Sequence, residues 1–293
     1  MAAYQAITAP TMRGAGADLA ATHEVHIFLG PLNPDAETVA RYEAAVATFN
    51  AELPQAGLVA VRCAQMKACH LALVFRAPET GAETTVRVMQ SAQYVWDDRQ
   101  GNVAAWARLT ADYFRSCGFE VLREKIEATA YGIVGVPRVA AEAAAHPGCY
   151  FEFHVSVARK EAAVADDLVV GAVSEAEVDE LRAISRTFSA ANRVPVPLSY
   201  NVSKQANQRY LNVRFRGAGI DEIRERVRAL ERQIVADSPF RVVKTISEYV
   251  WYDTMPQMDH GWIDYTPEET ARFFPASATP LLPLAESAAV AAS

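Results

Sequence analysis

Glu24-Val25-His26-Ile27-Phe28-Leu29 and Glu152-Phe153-His154-Val155-Ser156-Val157 are the two stretches that decide the fold. In the first, Val25, Ile27 and Leu29 fall on one face and Glu24, His26 and Phe28 on the other, the period of a half-buried strand. The second repeats the pattern and keeps the carboxylate and imidazole in the same places. Other pairs extend the match: Thr48-Phe49-Asn50 with Thr187-Phe188-Ser189, Phe75-Arg76 with Phe215-Arg216, and Phe119-Glu120-Val121 with Phe240-Arg241-Val242. The chain therefore reads as one module written twice.

Each copy reads strand, helix, strand, strand, helix, strand. In the first copy Asn33-Pro34-Asp35 supplies a helix start, with Asn33 as cap and a proline at the first helical position. Val39, Tyr42, Val46, Phe49 and Leu53 follow at helical spacing. Leu58 to Gln65 and His70 to Phe75 are the expected second and third strands, Val103 to Cys117 the second helix with Gly118 as its stop, and Phe119 to Ala128 the last strand. In the second copy Ser174-x-x-Glu177 is a capping box. Val178, Leu181, Ile184 and Phe188 point inward after it. Leu198 to Ser203 and Arg209 to Phe215 are strands, Ile220, Ile223, Val227, Leu230 and Ile234 form a helical stripe, and Phe240 to Trp251 closes the copy. Unequal offsets between matched residues place a longer loop, with Asp166-Asp167, after the first strand of the second copy. They also place an insertion containing Thr84 to Ser91 in the first copy, read as a flap, with Trp96-Asp97-Asp98 as a lid or interaction element.

The order βαββαβ predicts an α+β fold: two tandem ferredoxin-like modules with pseudo-twofold symmetry. The divisions are a flexible segment 1–22, a first module 23–131, a linker 132–148, a second module 149–265 and a low-complexity tail 266–293. In such a module the first strand lies between the third and the fourth. His26 should then neighbour His70 and Glu127, and His154 should neighbour Tyr210 and Glu248, all on the face away from the helices.

The 293 residues suffice for one large core or two modest ones. Half of the chain is apolar, and a net charge of −7 argues against a nucleic-acid surface. No apolar run is long enough to span a bilayer, and the N-terminal stretch lacks the apolar region of a secretory signal. Cys63, Cys69, Cys117 and Cys149 form no C-x-x-C pair and read as reduced thiols, which points to the cytoplasm.

The polar face collects the candidate residues. Imidazole and carboxylate on adjacent strands suit a divalent metal such as Fe, Mn, Zn or Ni, or a general base with its partner. Glu24, Glu152, His70 and Tyr210 are the candidates for catalysis. Arg76, Arg216, Arg214, Lys125, Asn201 and Asn212 are the candidates for holding an anionic small molecule. An antiparallel sheet with one solvated face shows the same alternation without any function. The sequence thus leaves open a non-catalytic ligand-binding or assembly protein, with a homodimer as one arrangement. His23 has the opposite parity to Glu24 and His26, and His146 lies in the linker. His260 follows the last strand in a loop with Asp259 and Trp262. Gly217-Ala218-Gly219 lacks the lysine of a phosphate loop and reads as a strand-to-helix turn.

Two tandem modules with histidine on the first strand and glutamate on the last resemble the vicinal-oxygen-chelate metalloenzymes. The resemblance implies His26, Glu127, His154 and Glu248 as metal ligands and a small oxygenated substrate. That family's module is βαβββ, so the extra helix of each copy departs from it. His154-Val155-Ser156 also resembles the H-x-S/T strand of two-histidine phosphoesterases, whereas His26-Ile27-Phe28 lacks the hydroxyl.

Overall fold

A computed structural model describes residues 22–52, 62–76, 83–97, 99–129, 135–160, 164–165, 168–169, 174–194, 196–201 and 209–256. Residues 1–21 of the expected flexible segment, the tail, Asp166-Asp167 and the His260 loop lie outside the described residues, while Thr22 already belongs to the first strand. The fold is α+β, with five helices among the described residues and a large antiparallel sheet.

The elements of residues 22–129 are β1 (Thr22–Leu29), α1 (Ala36–Glu52), β2 (Arg62–Cys63), β3 (Lys67–Arg76), β4 (Glu83–Trp96), α2 (Gln100–Ser116) and β5 (Val121–Thr129). A short α3 (Ala140–Ala143) lies in the expected linker. It is followed by β6 (Tyr150–Arg159), the two-residue strands β7 (Val164–Ala165) and β8 (Leu168–Val169), α4 (Glu175–Asn192), β9 (Leu198–Asn201), β10 (Arg209–Phe215), α5 (Ile220–Asp237) and β11 (Phe240–Asp253).

Nine of the described strands form one sheet in the order β1-β5-β11-β6-β10-β9-β3-β4-β2, and β1 also pairs with β4. That last pairing closes the sheet into a barrel, with β2 continuing the line of β3 along β4. The first half contributes β5-β1-β4-β3 and the second β11-β6-β10-β9. The halves meet through β5 with β11 and β3 with β9.

The helices cover the outside. Val25, Ile27 and Leu29 of β1 and Ile126 of β5 share a core with Tyr42 and Phe49 of α1 and Phe114 of α2. Phe153, Val155 and Val213 share it with Leu181 of α4 and Ile223, Val227 and Leu230 of α5. Each such fully buried side chain is worth about 1.5–3 kcal/mol. The alternate residues of every strand therefore line the inside of the barrel.

Three local expectations are corrected. The Asp35 carboxylate, not Asn33, accepts from the Thr38 amide at 2.7 Å and caps α1. Asn33 has φ 52° and ties the turn to β4, exchanging bonds with Arg87 through its backbone N (2.8 Å) and its Oδ1 (2.8 Å). Thr84 to Ser91 is not an inserted flap: it lies within β4, the third strand of the first half. The second strand is β3, so Phe75-Arg76 corresponds to β9 and not to Phe215-Arg216 on β10.

Other local signals stand as read. Gly118 has φ +81°, and the amides of Gly118 and Phe119 return to Arg115 O (3.0 Å) and Phe114 O (3.0 Å) to end α2. Ser174 and Glu177 form the capping box of α4. Gly217-Ala218-Gly219 is a strand-to-helix turn. The first amides of α5, Ile220 N and Asp221 N, already reach Pro137 O (3.0 Å) and Arg138 O (3.4 Å). A Cβ on Gly219 would meet Arg138 O at 2.1 Å. Gly219→Ala must therefore push the 137–139 segment off the helix. We expect a loss of about 1–3 kcal/mol in urea denaturation, with Gly217→Ala, where nothing is in the way, as the comparison for φ strain alone.

Candidate functional site

The inner face of the barrel is polar at its centre. Strand register puts Glu24 opposite Glu127, His26 opposite Lys125 and Phe28 opposite Arg123. It also puts Glu152 opposite both Arg214 and Glu248, and His154 opposite both Asn212 and Ile246. Lys125 stands between the halves, with Nζ 2.8 Å from Glu127 Oε2 and 2.7 Å from Glu152 Oε2. Arg214 holds the other oxygen of Glu152 at 2.9 Å. Burial works against ionising Glu152, but Arg214 and Lys125 outweigh it and hold the carboxyl well below the usual range. Burial likewise opposes the charge on Glu127, and Lys125 and His26 overcome it.

One end of the barrel is closed. Phe28 and Val88 pack there with Leu32, Leu71, Leu122 and Met255. Arg123, 2% exposed, grips both oxygens of Asp253 (2.8 and 2.5 Å), lies over the Phe28 ring at 5.2 Å and donates to the Tyr150 hydroxyl at 3.2 Å. At the opposite end, among the described residues, Tyr94 is 37% and Ile246 38% exposed. Glu24, Lys67, Lys244, Ser199 and Tyr210 belong to this rim and are exposed or half-buried. Tyr94 donates to Glu24, and burial together with Glu24 pushes its phenol up to about 12. Lys67 lies over the Tyr94 ring at 5.1 Å.

Between these ends sit the two histidines, each between a carboxylate and a side-chain amide. His26 Nε2 is 2.5 Å from Glu127 Oε1, and Gln90 meets its Nδ1. His154 Nε2 is 3.0 Å from Glu248 Oε2, and Asn212 Oδ1 is 2.5 Å from its Nδ1. Both partners of His154 are acceptors, so both ring nitrogens must donate and the ring is an imidazolium. Burial would lower its pKa, but Glu248 and then Glu152 and Glu127 lift it to about 9. Glu248 is itself raised, by burial and by Glu127. The two shifts agree on a pair that keeps its proton, and the charged His154 form follows from the acceptor on each nitrogen. His26 is raised too, with Glu127 overcoming burial.

Several candidates stand elsewhere than the sequence suggested. His70 is not beside His26. It lies on the helix side of β3, 3.2 Å from Glu43 and edge-on to Tyr42, because β4 is the strand between β3 and β1. His26 faces Ala92 of β4 instead. The strand partner of His154 is Asn212, while Tyr210 lies opposite Ser156. Arg214 and Lys125 hold Glu152, and Arg216 lies over the Tyr150 ring at 4.3 Å, so all three have internal roles. Arg76 and Asn201 lie at strand ends, and their side chains are outside the described residues. His23, on the helix side as its parity implied, accepts from Trp251 Nε1 at 3.2 Å. Gln90 was missed because its strand was read as an insertion.

The expected metal ligands meet as two separate imidazole–carboxylate pairs. Among the described residues no group of three or more His, Cys, Asp or Glu is arranged to hold a metal ion. An imidazolium at His154 has no lone pair to offer one, so as they stand the four residues do not fit a metal. His26 is 8% exposed and enclosed by Glu127 and Gln90, which leaves the two-histidine phosphoesterase pattern one reachable histidine. No described helix is long and apolar enough to cross a membrane.

No family model matches the chain, and no curated protein matches it. Solved structures do show similarity. A heme-binding protein from Thermus thermophilus is 10% identical over 81% of this chain and 94% of its own, with a TM-score of 0.25. A candidate monooxygenase from Lactobacillus acidophilus is 9% identical over 79% of this chain and 93% of its own, also at 0.25. Another from Fusobacterium nucleatum is 8% identical over 80% and 94%, at 0.24. Likeness of this depth decides neither family nor chemistry.

Two outcomes follow for the cluster. Lys125→Met keeps the stem but removes the cation shared by two buried carboxylates, so it should cost about 3–5 kcal/mol in urea denaturation. His154 binds its proton more tightly folded (about 9) than unfolded (6.5). Its stabilisation is complete below pH 6.5 and fades as pH rises through about 9. The urea midpoint should fall over that window, and His154→Gln should flatten the slope, leaving the part of the same sign that comes from His26.

Proposed function

We propose that the protein binds a small polar molecule at the open end of the barrel, against His154 and Glu248, and that this pair transfers a proton to or from it. The observation that carries the reading is an asymmetry between two like pairs. The His154 and Glu248 side chains are 26% and 13% exposed, whereas those of His26 and Glu127 are 10% and 4% exposed. A proton donor must touch its substrate, and only one of the two pairs is within reach.

The halves are read as copies of one βαββαβ, ferredoxin-like module related by a pseudo-twofold. Two facts support this. The strand orders β5-β1-β4-β3 and β11-β6-β10-β9 match element for element. Each half also sets a histidine between a third-strand amide and a last-strand glutamate. Because β1 runs toward the closed end and β6 toward the open one, the copies face opposite ends of the barrel. His26 belongs to the end that Phe28 and Arg123 close, and His154 to the end that stays open.

In this reading His154 is the acid, and Glu248 holds the Nε2 proton and stabilises the charged ring. Tyr210, Ser199 and Lys244 on one side of the rim, with Glu24, Tyr94 and Lys67 on the other, orient the bound molecule. The two rim lysines favour an anionic group on it. Glu152, Lys125 and Arg214 fix the floor beneath. The Nε2 proton of His154 passes to Glu248 and from its carboxyl to the substrate, which leaves a neutral imidazole.

The test is a calorimetric screen of small carboxylates, phosphates, amino acids and neutral polyols. We expect at least one anionic class to bind the wild type and to weaken at least about tenfold in His154→Ala and Glu248→Gln, the scale of one lost charge-assisted hydrogen bond. His26→Ala should lose stability yet keep binding. Equal binding by wild type and His154→Ala would sink the reading. Binding with no turnover of any bound compound would leave a ligand-binding protein and no enzyme.

A further inference from the structure

Asn212 sits on the inner face of β10 opposite His154, yet it is only 1% exposed. Its amide is committed on both sides. Nδ2 donates to Pro197 O at 3.2 Å and to Ser199 Oγ at 2.8 Å. The backbone amide of Asn212 uses the same Pro197 carbonyl at 2.9 Å. A backbone carbonyl only accepts, so the NH2 end of the side chain must face Pro197. Turning the amide over would set oxygen against oxygen and strand a buried carbonyl. The orientation is therefore fixed by β9, and the end left for His154 is Oδ1, 2.5 Å from Nδ1.

The first half differs at the same place. Gln90 Nε2 lies at His26 Nδ1, and Nε2 of that ring faces Glu127 Oε1. The two amides occupy like positions with opposite polarity. Position alone does not explain this, since either amide could present either end. The anchoring of Asn212 by Pro197 and Ser199 does.

We infer that Asn212 is a positioning residue for His154: pinned by Pro197 and Ser199, it holds the Nδ1 proton and the ring plane so that the Nε2–H points at Glu248 beneath the open end. The role rests on the functional reading above, because it assigns to a buried side chain the upkeep of the group that meets substrate. Other charged groups face the same ring: Glu248 from β11, Glu152 from its own strand and Glu127 from β5. None of them explains a proton kept on Nδ1, because the carboxylate bonded to the ring, Glu248, is at Nε2.

The test uses the full-length, 15N-labelled protein without added ligand, read by NMR of the imidazole N–H groups at pH 7. Wild type should show both ring protons of His154, with the Nδ1 proton exchanging slowly. In Asn212→Leu the Nδ1 resonance should vanish or exchange at least about tenfold faster, and Asn212→Asp, which restores an acceptor, should bring it back. Ser199→Ala, a milder change, should speed that exchange while leaving His23 and His26 unaltered, and it carries the test if Asn212→Leu fails to fold. Unchanged exchange at Nδ1 in Ser199→Ala and in a folded Asn212→Leu would overturn the role, as would a wild-type His154 with no Nδ1 proton. Because no ligand is used, a chain that shows this pattern but binds nothing in the calorimetric screen keeps the role of Asn212 and loses only the proposed function.

Discussion

The contact on which the rest depends is Lys125 between Glu127 and Glu152. It joins a strand of the first half to a strand of the second, through 2.8 and 2.7 Å ion pairs in a space shut off from water. A barrel of eight strands has an interior about wide enough for side chains to fill. Here the centre is filled with charge, and charge without water must be paired and hydrogen-bonded. Arg214 completes Glu152, and Arg123 with Asp253 and Tyr150 repeats the solution nearer the closed end. Such pairs add little net stability against an apolar filling of the same shape, but they tolerate few alternatives. A slip of one residue between β5 and β11 would turn Lys125 outward and take the shared cation from both carboxylates.

This constraint explains the unequal fates of two similar histidines. Both are held by a glutamate from the last strand of their half. At the first, Phe28 and Val88 cap the interior with Met255, and the pair is sealed. At the second, Ser156 takes the strand position that Phe28 has in the first half. Beyond His154 the inner face opens to Tyr210, Lys244 and Ile246. One pair is then part of the structure's internal pairing, while the other combines the same pairing with access. Function is proposed at the second because chemistry needs contact, and only there does the barrel provide it.

Much of this was legible in the residues. The parity of β1 and β6, the capping box at Ser174, the stop at Gly118, the stripe of α5 and the polar face with Glu127 and Glu248 are local patterns set by a period of two or of 3.6. The misreading fell on β4. It is buried by the helices on one side and by the barrel interior on the other, so Val88, Met89, Gln90, Ser91 and Ala92 are all inaccessible and the alternation disappears. Reading it as an insertion displaced the third strand, put His70 beside His26 and hid Gln90. A cap was also misplaced, since Asn33 and Asp35 are both good cap residues and only the approach of β4 to Asn33 separates them.

The sequence by itself determined which side chains share a face, where helices begin and end, and that a carboxylate–histidine pair is written twice, because these depend on neighbours a few residues away. Only the tertiary structure decided that the two halves join into one closed sheet through β5 with β11 and β3 with β9. It also decided that Lys125 crosses to Glu152, that Asn212 is locked by Pro197, and that His154 rather than His26 reaches the open end. The closure depends on pairing between strands more than a hundred residues apart, as Lys125 and Asp253 are. The register there is selected by mutual burial of charge across the whole barrel, which no local pattern records.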